Sequence, residues 1–244
     1  FKKVSGTGWM SLVGKGTSDV NEEYVLMLKD DQVYFDVGQG GGPYLQQSTT
    51  IAPETWHHIA AVHTRSGSTS TLKVYLNGED VGGTTVGASN TPNDNSYPLT
   101  IGSRWFSTSY GLFKGQIDDV RIWNITLTQE QIQENMNSSV ASVETGLLAD
   151  WRFNVGDGEI LYDHSGNGNH GTINGATWSE ETVVFGCTDP YANNYDAEAT
   201  ISDGSCFGYP DNGDYALSFN GDGDYVSVQS EELDELFSGY NPFT

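Results

Sequence analysis

Oxygen-bearing side chains are concentrated in residues 186–206, which read GCTDPYANNYDAEATISDGSC. The candidate metal ligands in this stretch are Asp189, Asn194, Asp196 and Asp203. Their carboxylate and amide oxygens are of the kind that the hard cation Ca²⁺ prefers, although their spacing is not that of an EF-hand loop. Asp and Asn also bond to their own backbone in tight turns. The stretch therefore predicts either a calcium site or a series of turns.

The two cysteines of the chain, Cys187 and Cys206, lie at the two ends of this stretch. An isolated pair in a sequence of exterior character predicts a disulfide bond. Closing a loop of this size contributes on the order of 3 kcal/mol to stability. A short segment with little core of its own needs such a covalent bond.

Three aromatic residues, Trp105, Phe106 and Tyr110, occur together in the segment SRWFSTSY. An exposed aromatic ring on a β surface is suited to sugar binding, because its face stacks on the C–H face of a sugar. The alternative is that these rings cover the edge of the core. We treat the three residues as candidate glycan contacts.

The sequence shows no arrangement typical of catalysis. Glycoside hydrolysis needs two positioned carboxyl groups, and the acidic run at residues 232–235 does not supply a convincing pair. Neither a nucleophile elbow nor a Ser/His/Asp arrangement stands out. We therefore expect a protein that is not an enzyme.

Composition excludes several classes of partner. The chain has 244 residues and a formal net charge of −23, so a simple electrostatic nucleic-acid binder is excluded, since phosphate contacts need clustered Lys and Arg. Attraction to anionic lipid is disfavoured for the same reason. No apolar run approaches the roughly 18 residues of a membrane span. The acidic charge fits an extracellular or cell-surface protein, or simple solubility.

The elements that must position these residues are mostly strands. Leu72, Val74 and Leu76 alternate with polar or aromatic residues, and Asn77-Gly78 then supplies the positive φ angles of a two-residue hairpin turn. Residues 215–228, YALSFNGDGDYVSV, alternate in the same way. One helix is predicted, with Thr128 as its N-cap and the run to Met136 as its body.

Several motifs occur in the order of a known family. WHHIAAV is followed by the hairpin KVYLNG, by FKGQIDDVRIWN and by LYDHSGNGNHGTINGATW. This series resembles a laminin-G-like domain of the concanavalin A-like jelly-roll class. The resemblance implies an all-β, antiparallel jelly-roll sandwich with one short helix, and the stretch between the cysteines resembles a small stapled module found between domains of bacterial extracellular proteins.

The resemblance also implies a second candidate calcium site. It places the turn that contains Asp222 and Asp224 near the strand that contains Asp118 and Asp119. Converging carboxylates repel one another unless a cation compensates. The alternative is ordinary turn aspartates with an ion pair to Arg121. Calcium is thus the cofactor that we expect.

The resemblance divides the chain into three parts. Residues 1–180 correspond to a jelly roll that lacks its first strands, residues 181–212 to the stapled linker module, and residues 213–244 to opening strands of a laminin-G-like domain. The first and third parts together have the size of one jelly roll. We expect about one period of a tandem array, in which residues 213–244 complete the sandwich of their own copy or of a neighbour.

Two functions follow from these expectations. The first is a non-enzymatic, extracellular structural or adhesive repeat protein that forms a cell-surface stalk, fibre or adhesin. Its expected partners are further copies of itself and surface glycans. The alternative is a carbohydrate-binding module of a secreted polysaccharide-degrading enzyme. The linker module that leads directly into another domain start favours the first function.

Overall fold

The computed structural model describes residues 1–4, 7–16, 22–38, 44–47, 50–87, 96–104, 111–136, 144–180 and 183–208. By its internal contacts the chain divides into two compact units, Phe1–Tyr209 and Pro210–Thr244. Every described residue belongs to the first unit. Residues 213–244, which include the candidate calcium ligands Asp222 and Asp224, lie outside the described residues. Their predicted strands and calcium site therefore stay predictions.

Short strands make up most of the regular structure. They are β1 (Lys2–Lys3), β2 (Trp9–Lys15), β3 (Tyr24–Lys29), β4 (Gln32–Val37), β5 (Tyr44–Gln47), β6 (Ile59–Ser66), β7 (Thr69–Leu76), β8 (Glu79–Gly87), β9 (Leu99–Ile101), β10 (Gly115–Gln116), β11 (Val120–Trp123), β12 (Leu147–Trp151), β13 (Ile160–Leu161), β14 (Gly171–Thr172), β15 (Phe185–Gly186) and β16 (Ile201–Ser202). Helix α1 (Gln129–Met136) lies between β11 and β12.

The two largest sheets are antiparallel, with the strand orders β5-β4-β3-β2-β9 and β6-β7-β8. Two tight turns set their registers. Asp30 and Asp31 connect β3 to β4, with φ angles of 50° and 73°, and Asn77 and Gly78 connect β7 to β8, with φ angles of 52° and 84°. Positive φ at both central positions matches the twist of the flanking strands. The predicted Asn77-Gly78 hairpin is confirmed.

Residues from both large sheets pack in one apolar core. Leu28 and Val33 of the five-stranded sheet and Leu72 and Val74 of the three-stranded sheet are all 0% exposed. Lys73, which lies between the last two, is only partly buried. The period-two pattern therefore places one face of each sheet inward, as the sequence predicts.

A second, smaller core lies around the β11–β12 pair. Its buried members are Ala149, Trp151 and Leu161. Strand β9 contributes Leu99 and Ile101 to the same cluster, so the smaller core adjoins the edge of the five-stranded sheet. Strands β13 and β14 form a short antiparallel pair beside it.

Helix α1 begins with a capping box. The Thr128 Oγ1 accepts the Gln131 N–H at 3.3 Å, and the Gln131 Oε1 accepts the Thr128 N–H at 2.9 Å. These reciprocal bonds satisfy donors that have no partner inside the helix. The Gln133 Nε2 donates to the Gly78 carbonyl at 3.1 Å, which joins the helix to the β7–β8 turn. The predicted Thr128 cap is confirmed, and Gln131 is the partner that the sequence analysis did not name.

The stretch between the cysteines forms a small module. Cys187 and Cys206 form a disulfide bond, as predicted, with their Cα atoms 4.8 Å apart. Strand β15, just before Cys187, pairs in parallel with β16, and the Asp196 N–H donates to the Cys187 carbonyl at 2.9 Å. The described residues form mostly antiparallel strands, one helix and one disulfide bond, which confirms the predicted all-β class.

In that part of the chain, no helix is long and apolar enough to cross a bilayer.

The common core predicts a clear difference between two identical substitutions. Leu72→Ala removes a side chain that is 0% exposed, so the free energy of unfolding should fall by about 3 kcal/mol. Leu112→Ala, at a residue that is 47% exposed, should change it by less than about 0.5 kcal/mol. Urea unfolding followed by tryptophan fluorescence measures both values. Similar losses for the two variants would contradict the assignment of Leu72 to the core.

Candidate functional site

A cleft of about 220 Å³ opens on the five-stranded sheet. It is lined by Trp9, Met27, Tyr34, Asp36 and Arg104. Four of these residues belong to β2, β3 and β4, and Arg104 follows β9. The cleft therefore lies on three neighbouring strands of one sheet and on the residue that follows a fourth.

The cleft side chains lie on the sheet face that points away from the large core. In β4 they alternate with Val33 and Phe35, and in β2 Trp9 precedes Met10, all of which belong to that core. Successive side chains of a strand point to opposite faces of the sheet. The pattern that builds the core thus also aligns Trp9 with Tyr34 on the opposite face.

The Trp9 ring is the centre of a polar and aromatic cluster. Its centroid is 4.9 Å from that of Tyr34, with an angle of 65° between the ring planes. The Lys29 Nζ lies 5.0 Å from the Trp9 centroid and the Arg104 Cζ lies 6.0 Å from it. Edge-to-face packing and cation–π contacts both stabilise this arrangement. The ring is therefore fixed before any ligand arrives.

A buried ion pair positions Arg104. Its Nε donates to the Glu22 Oε2 at 2.8 Å and its Nη2 donates to the Glu22 Oε1 at 3.3 Å. Glu22 is only 1% exposed and Arg104 only 8% exposed. A two-point contact of this kind orients the guanidinium plane as well as its charge. Arg104 is thus a rigid wall of the cleft.

Amide groups extend the polar surface beside Tyr34. The Gln46 Nε2 donates to the Gln32 Oε1 at 2.7 Å, and the Tyr34 hydroxyl lies 3.5 Å from the same oxygen. Planar amides, a carboxylate and a guanidinium next to an aromatic ring can bind neighbouring hydroxyl groups of a sugar while the ring stacks on its C–H face. This chemistry needs no cofactor.

The predicted glycan contacts Trp105, Phe106 and Tyr110 lie outside the described residues, so they stay predictions. They follow Arg104 directly in the sequence, and Arg104 lines the cleft. The sequence analysis did not name Trp9 and Tyr34. Their signal was present, because both are aromatic residues at positions that alternate with core residues.

Asp118 and Asp119 lie side by side in the segment before β11, where Asp118 is half-buried and the Asp119 side chain is 41% exposed. The Asp119 N–H donates to the Asp118 Oδ1 at 2.9 Å, and the Asp119 Oδ1 lies 3.8 Å from the Arg121 Nη2. Burial raises the pKa of each carboxyl above its ordinary value. Ionising both groups therefore costs free energy, which Arg121 offsets in part.

The candidate ligands of the disulfide module all take part in turns. Asp189, Asp196 and Asp203 each accept the backbone N–H of the residue two positions later, at 2.8–2.9 Å. The Asn194 Oδ1 accepts the Phe207 N–H at 2.9 Å, and its Nδ2 donates to the Ser205 carbonyl at 2.8 Å. Within the described ranges no group of three or more His, Cys, Asp or Glu side chains is arranged to bind a metal ion. The hydrogen bonds show that these side chains stabilise turns. Calcium binding by the same residues stays a prediction.

Comparison with known proteins identifies the family. A laminin-G-type family model, described as the concanavalin A-like lectin/glucanases superfamily, matches residues 2–133. The chain belongs to this superfamily. No curated protein sequence matches it at a significant level. The predicted laminin-G-like, concanavalin A-like resemblance is therefore confirmed.

Solved structures support the fold of this concanavalin A-like chain. One is a Bacteroides ovatus protein to which carbohydrate binding is provisionally assigned, with a TM-score of 0.54 and 20% identity over 73% of this chain. The chain spans about half of that protein, 53% of its length. This likeness concerns the fold alone.

Two further structures are less similar. A heptameric SAP-like pentraxin from Limulus polyphemus has a TM-score of 0.41 and 19% identity over 53% of this chain and 64% of its own. An S-layer domain-containing protein from Clostridium thermocellum has a TM-score of 0.25 and 24% identity over 54% of this chain and 64% of its own. These scores are too low to add to the argument.

Beyond the region that the family model matches, the DHSGNGNHG loop of this concanavalin A-like chain is organised by one carboxylate. Asp163 is 7% exposed and accepts four hydrogen bonds of 2.8–2.9 Å. The donors are the backbone N–H groups of Asp150, Ser165 and Asn169 and the hydroxyl of Ser165. Burial alone would raise the pKa of this carboxyl, but the hydrogen bonds outweigh it and lower the pKa below its ordinary value. The loop is thus explained by hydrogen bonding within the protein.

This network predicts a pH-dependent loss of stability. Asp163→Asn keeps the side chain's shape but removes the charge that binds the four donors, so the free energy of unfolding should fall by about 2 kcal/mol at pH 7. A lowered folded-state pKa stabilises the fold above the unfolded pKa, about 4, and this contribution disappears as pH falls through the folded pKa. The wild-type advantage should therefore shrink in acid.

Denaturation curves from pH 7 to pH 3 measure this difference. Asp157→Asn, at an exposed residue of a nearby turn, is the matched control and should leave stability unchanged. A loss for Asp163→Asn that is the same at every pH would contradict the assignment to the ionised carboxylate.

Proposed function

We propose that this chain is a non-enzymatic, extracellular adhesive protein that binds glycans in the Trp9 cleft. The observation that supports this function is a fixed, partly exposed tryptophan ring bordered by Tyr34, Asp36 and Arg104 on the regular face of a sheet. A sugar presents both a C–H face and hydroxyl groups. The Trp9 ring can stack on the C–H face, and the planar polar side chains can form hydrogen bonds with the hydroxyl groups.

Preorganisation of the cleft favours useful affinity. The two-point bond of Arg104 to Glu22 and the edge contact of Trp9 with Tyr34 limit the motion of these side chains before binding. Less conformational entropy is then lost when a ligand binds. Membership of a superfamily whose description includes lectins, and a fold shared with a provisionally assigned carbohydrate-binding protein, support the same proposal.

Binding without hydrolysis agrees with the chemistry of the cleft. Among the described residues that line it, Asp36 is the one with a carboxylate. Glu22 lies behind the cleft, and both of its carboxylate oxygens bond to Arg104. Hydrolysis of a glycosidic bond uses two carboxyl groups on either side of that bond. We therefore propose recognition of a sugar rather than its cleavage.

An extracellular location is part of the proposal. The Cys187–Cys206 disulfide fits an oxidising compartment. The net charge of −23 fits a surface that remains soluble without a strong attraction to nucleic acid or anionic lipid. Both features agree with secretion or display at a cell surface.

A structural role in a stalk or fibre is a second candidate. The disulfide module follows the jelly roll directly in the sequence, and its own disulfide and the β15–β16 pair hold it together. A stapled segment of this kind is a suitable spacer between domains, since the disulfide limits its extension. A tandem array with such spacers would display its binding domains away from a surface, so the two roles are compatible. A carbohydrate-binding module attached to a degrading enzyme would use the same cleft.

We propose calcium as a stabilising ion at Asp118 and Asp119. The raised pKa values of these two carboxyls support this, because a bound cation would relieve the cost of ionising them. If calcium binds the native state, adding it to chelator-treated protein should raise the melting temperature. Free calcium at a hundred times its dissociation constant adds about 2.7 kcal/mol.

Differential scanning fluorimetry with calcium, magnesium and chelator tests this proposal. A double variant, Asp118→Asn with Asp119→Asn, should lose the calcium response, whereas Asp196→Asn should keep it. A response that only Asp196→Asn abolishes would move the site to the disulfide module. No response in the wild-type protein would refute calcium binding at both places.

The glycan proposal predicts a localised effect of Trp9→Ala. A glycan array first identifies a ligand, and calorimetry then measures its dissociation constant. Loss of an aromatic contact worth about 1.4 kcal/mol should weaken binding by about tenfold. Asp36→Asn should weaken binding too, since a carboxylate accepts stronger hydrogen bonds than an amide.

The control is Tyr191→Ala, an aromatic residue that is 75% exposed in the disulfide module and does not line the cleft. It should bind as the wild type does. Circular dichroism checks that each variant is folded. Unchanged affinity in Trp9→Ala and Asp36→Asn, with an altered affinity in Tyr191→Ala, would place the site elsewhere.

A further inference from the structure

The pairing registers of β2, β3 and β4 place Lys29 beside the Trp9 cleft. Lys29 lies opposite Trp9 of β2 on one side and opposite Gln32 of β4 on the other. Leu28, the preceding residue, belongs to the large core, so Lys29 is on the outward face of the sheet together with Trp9. Its Nζ lies 5.0 Å from the Trp9 ring centroid. The cleft therefore has an ammonium group at its Trp9 end.

Lys29 differs from most other cations of the chain, because no carboxylate contacts it among the described residues. The two carboxylates of the turn that follows it are engaged elsewhere. Asp31 contacts the Lys3 Nζ, and Asp30 accepts the Gly8 N–H at 2.9 Å. Six of the ten Lys and Arg residues, by contrast, contact a carboxylate: Lys3, Lys15, Lys73, Arg104, Arg121 and Arg152.

The two cations beside the Trp9 ring also differ in how firmly they are held. Arg104 makes two hydrogen bonds to the carboxylate of Glu22. Lys29 is held by its contact with the ring, and a cation–π contact at a partly exposed site is weak. A charge-assisted hydrogen bond to an anionic group is stronger. The Lys29 ammonium can therefore move from the ring to an anion of a ligand, which would uncover the ring for stacking.

The carboxylate of the cleft lies too far along the sheet to compete for Lys29. Asp36 is four residues beyond Gln32 on β4, so it lies about 13 Å along the strand from the row that contains Lys29. Charges in solvent are largely screened from each other beyond about 8 Å at physiological ionic strength. The cleft thus has a positive group at one end and a negative group at the other, with Tyr34 between them.

The charge of the whole chain limits how many negative charges a ligand of this cleft can have. A formal net charge of −23 repels a polyanion. One ammonium without a carboxylate partner compensates one negative charge. The cleft is therefore suited to a ligand with one anionic group, placed at the Lys29 end, and with neutral hydroxyl groups toward Asp36.

Building on the proposed glycan function, we propose that Lys29 makes the Trp9 cleft selective for a saccharide that has one negatively charged sugar residue. The anionic group of that residue binds the Lys29 ammonium while its ring stacks on Trp9. Carboxylate and sulfate ester share this chemistry, because an ammonium group is a point charge that does not require a planar partner.

Matched disaccharides test this selectivity. Cellobiose and lactose are the neutral probes. In each series, the primary alcohol of the non-reducing sugar is either oxidised to a carboxylate or converted to a sulfate ester. Calorimetry at neutral pH measures each dissociation constant. A partly exposed ion pair should make the charged member bind about fivefold more tightly than the neutral one, and this preference should shrink as salt is added. Comparing the two charged members separates a uronic acid from a sulfated sugar.

Three variants assign the preference to Lys29. Lys29→Met should bind the charged and neutral members with equal affinity, and Lys29→Arg should retain the preference, because it retains the charge. Trp9→Ala should weaken the binding of both members, since stacking does not depend on the charge. The matched control is Lys114→Met, at an exposed residue that does not line the cleft. It should show the wild-type preference.

Several results would overturn the proposal. Equal affinity of the wild type for charged and neutral members would remove the role of Lys29 and leave the glycan function standing. A preference that persists in Lys29→Met would place the anion elsewhere. Tighter binding of heparin, a polyanion, than of the singly charged disaccharides would contradict the limit of one charge. Binding of no member of either series would also refute the proposal, while the glycan array decides the glycan function separately.

Discussion

The alternation of side chains along β2, β3, β4 and β7 is the constraint on which the rest of the structure depends. Because successive residues of a strand point to opposite faces, the requirement to bury Leu28, Val33, Leu72 and Val74 in one core also determines what the outer faces present. A shift of register by one residue would exchange the two sets. The two-residue turns at Asp30-Asp31 and Asn77-Gly78 prevent such a shift. The core and the Trp9 cleft are therefore two results of one pattern.

Local sequence signals predicted much of the fold, and contacts between distant residues explain what they missed. The Asn77-Gly78 turn, the Thr128 cap and the cysteine pair each depend on a few neighbouring residues or on a rare residue type. The cleft instead depends on the order in which β2, β3 and β4 pair. The Arg104 guanidinium is positioned by Glu22, 82 residues away in the sequence. No sequence spacing predicts a contact between residues so far apart. The outward positions of Trp9 and Tyr34, in contrast, could have been predicted from the alternation along β2 and β4.

The acidic residues show why residue type alone does not identify a metal site. Asp189, Asp196 and Asp203 have suitable oxygens, but each has one oxygen committed to a backbone N–H of its own turn. The pair Asp118 and Asp119 differs, since burial raises the pKa of both carboxyls and nearby positive charges, Arg121 among them, compensate only in part. Carboxylates that stabilise turns need no cation, whereas carboxylates that are costly to ionise benefit from one. This distinction is electrostatic, and it depends on burial that the sequence does not display.

Two buried carboxylates of this fold, Asp150 and Glu22, form ion pairs with different consequences. Asp150, 0% exposed, accepts bonds from Arg121 at 3.0 Å and from Arg152 at 2.7 Å, and its backbone bonds to Asp163 and His164. It joins β11 and β12 to the loop that follows, so its role is internal. In the Glu22–Arg104 pair, by contrast, Arg104 lines an open cleft. A buried ion pair is seldom more stabilising than well-packed apolar residues of similar size, because desolvation offsets the attraction. Its position beside Trp9 therefore agrees with the proposed glycan site, in which this pair would hold the Arg104 guanidinium in a fixed orientation.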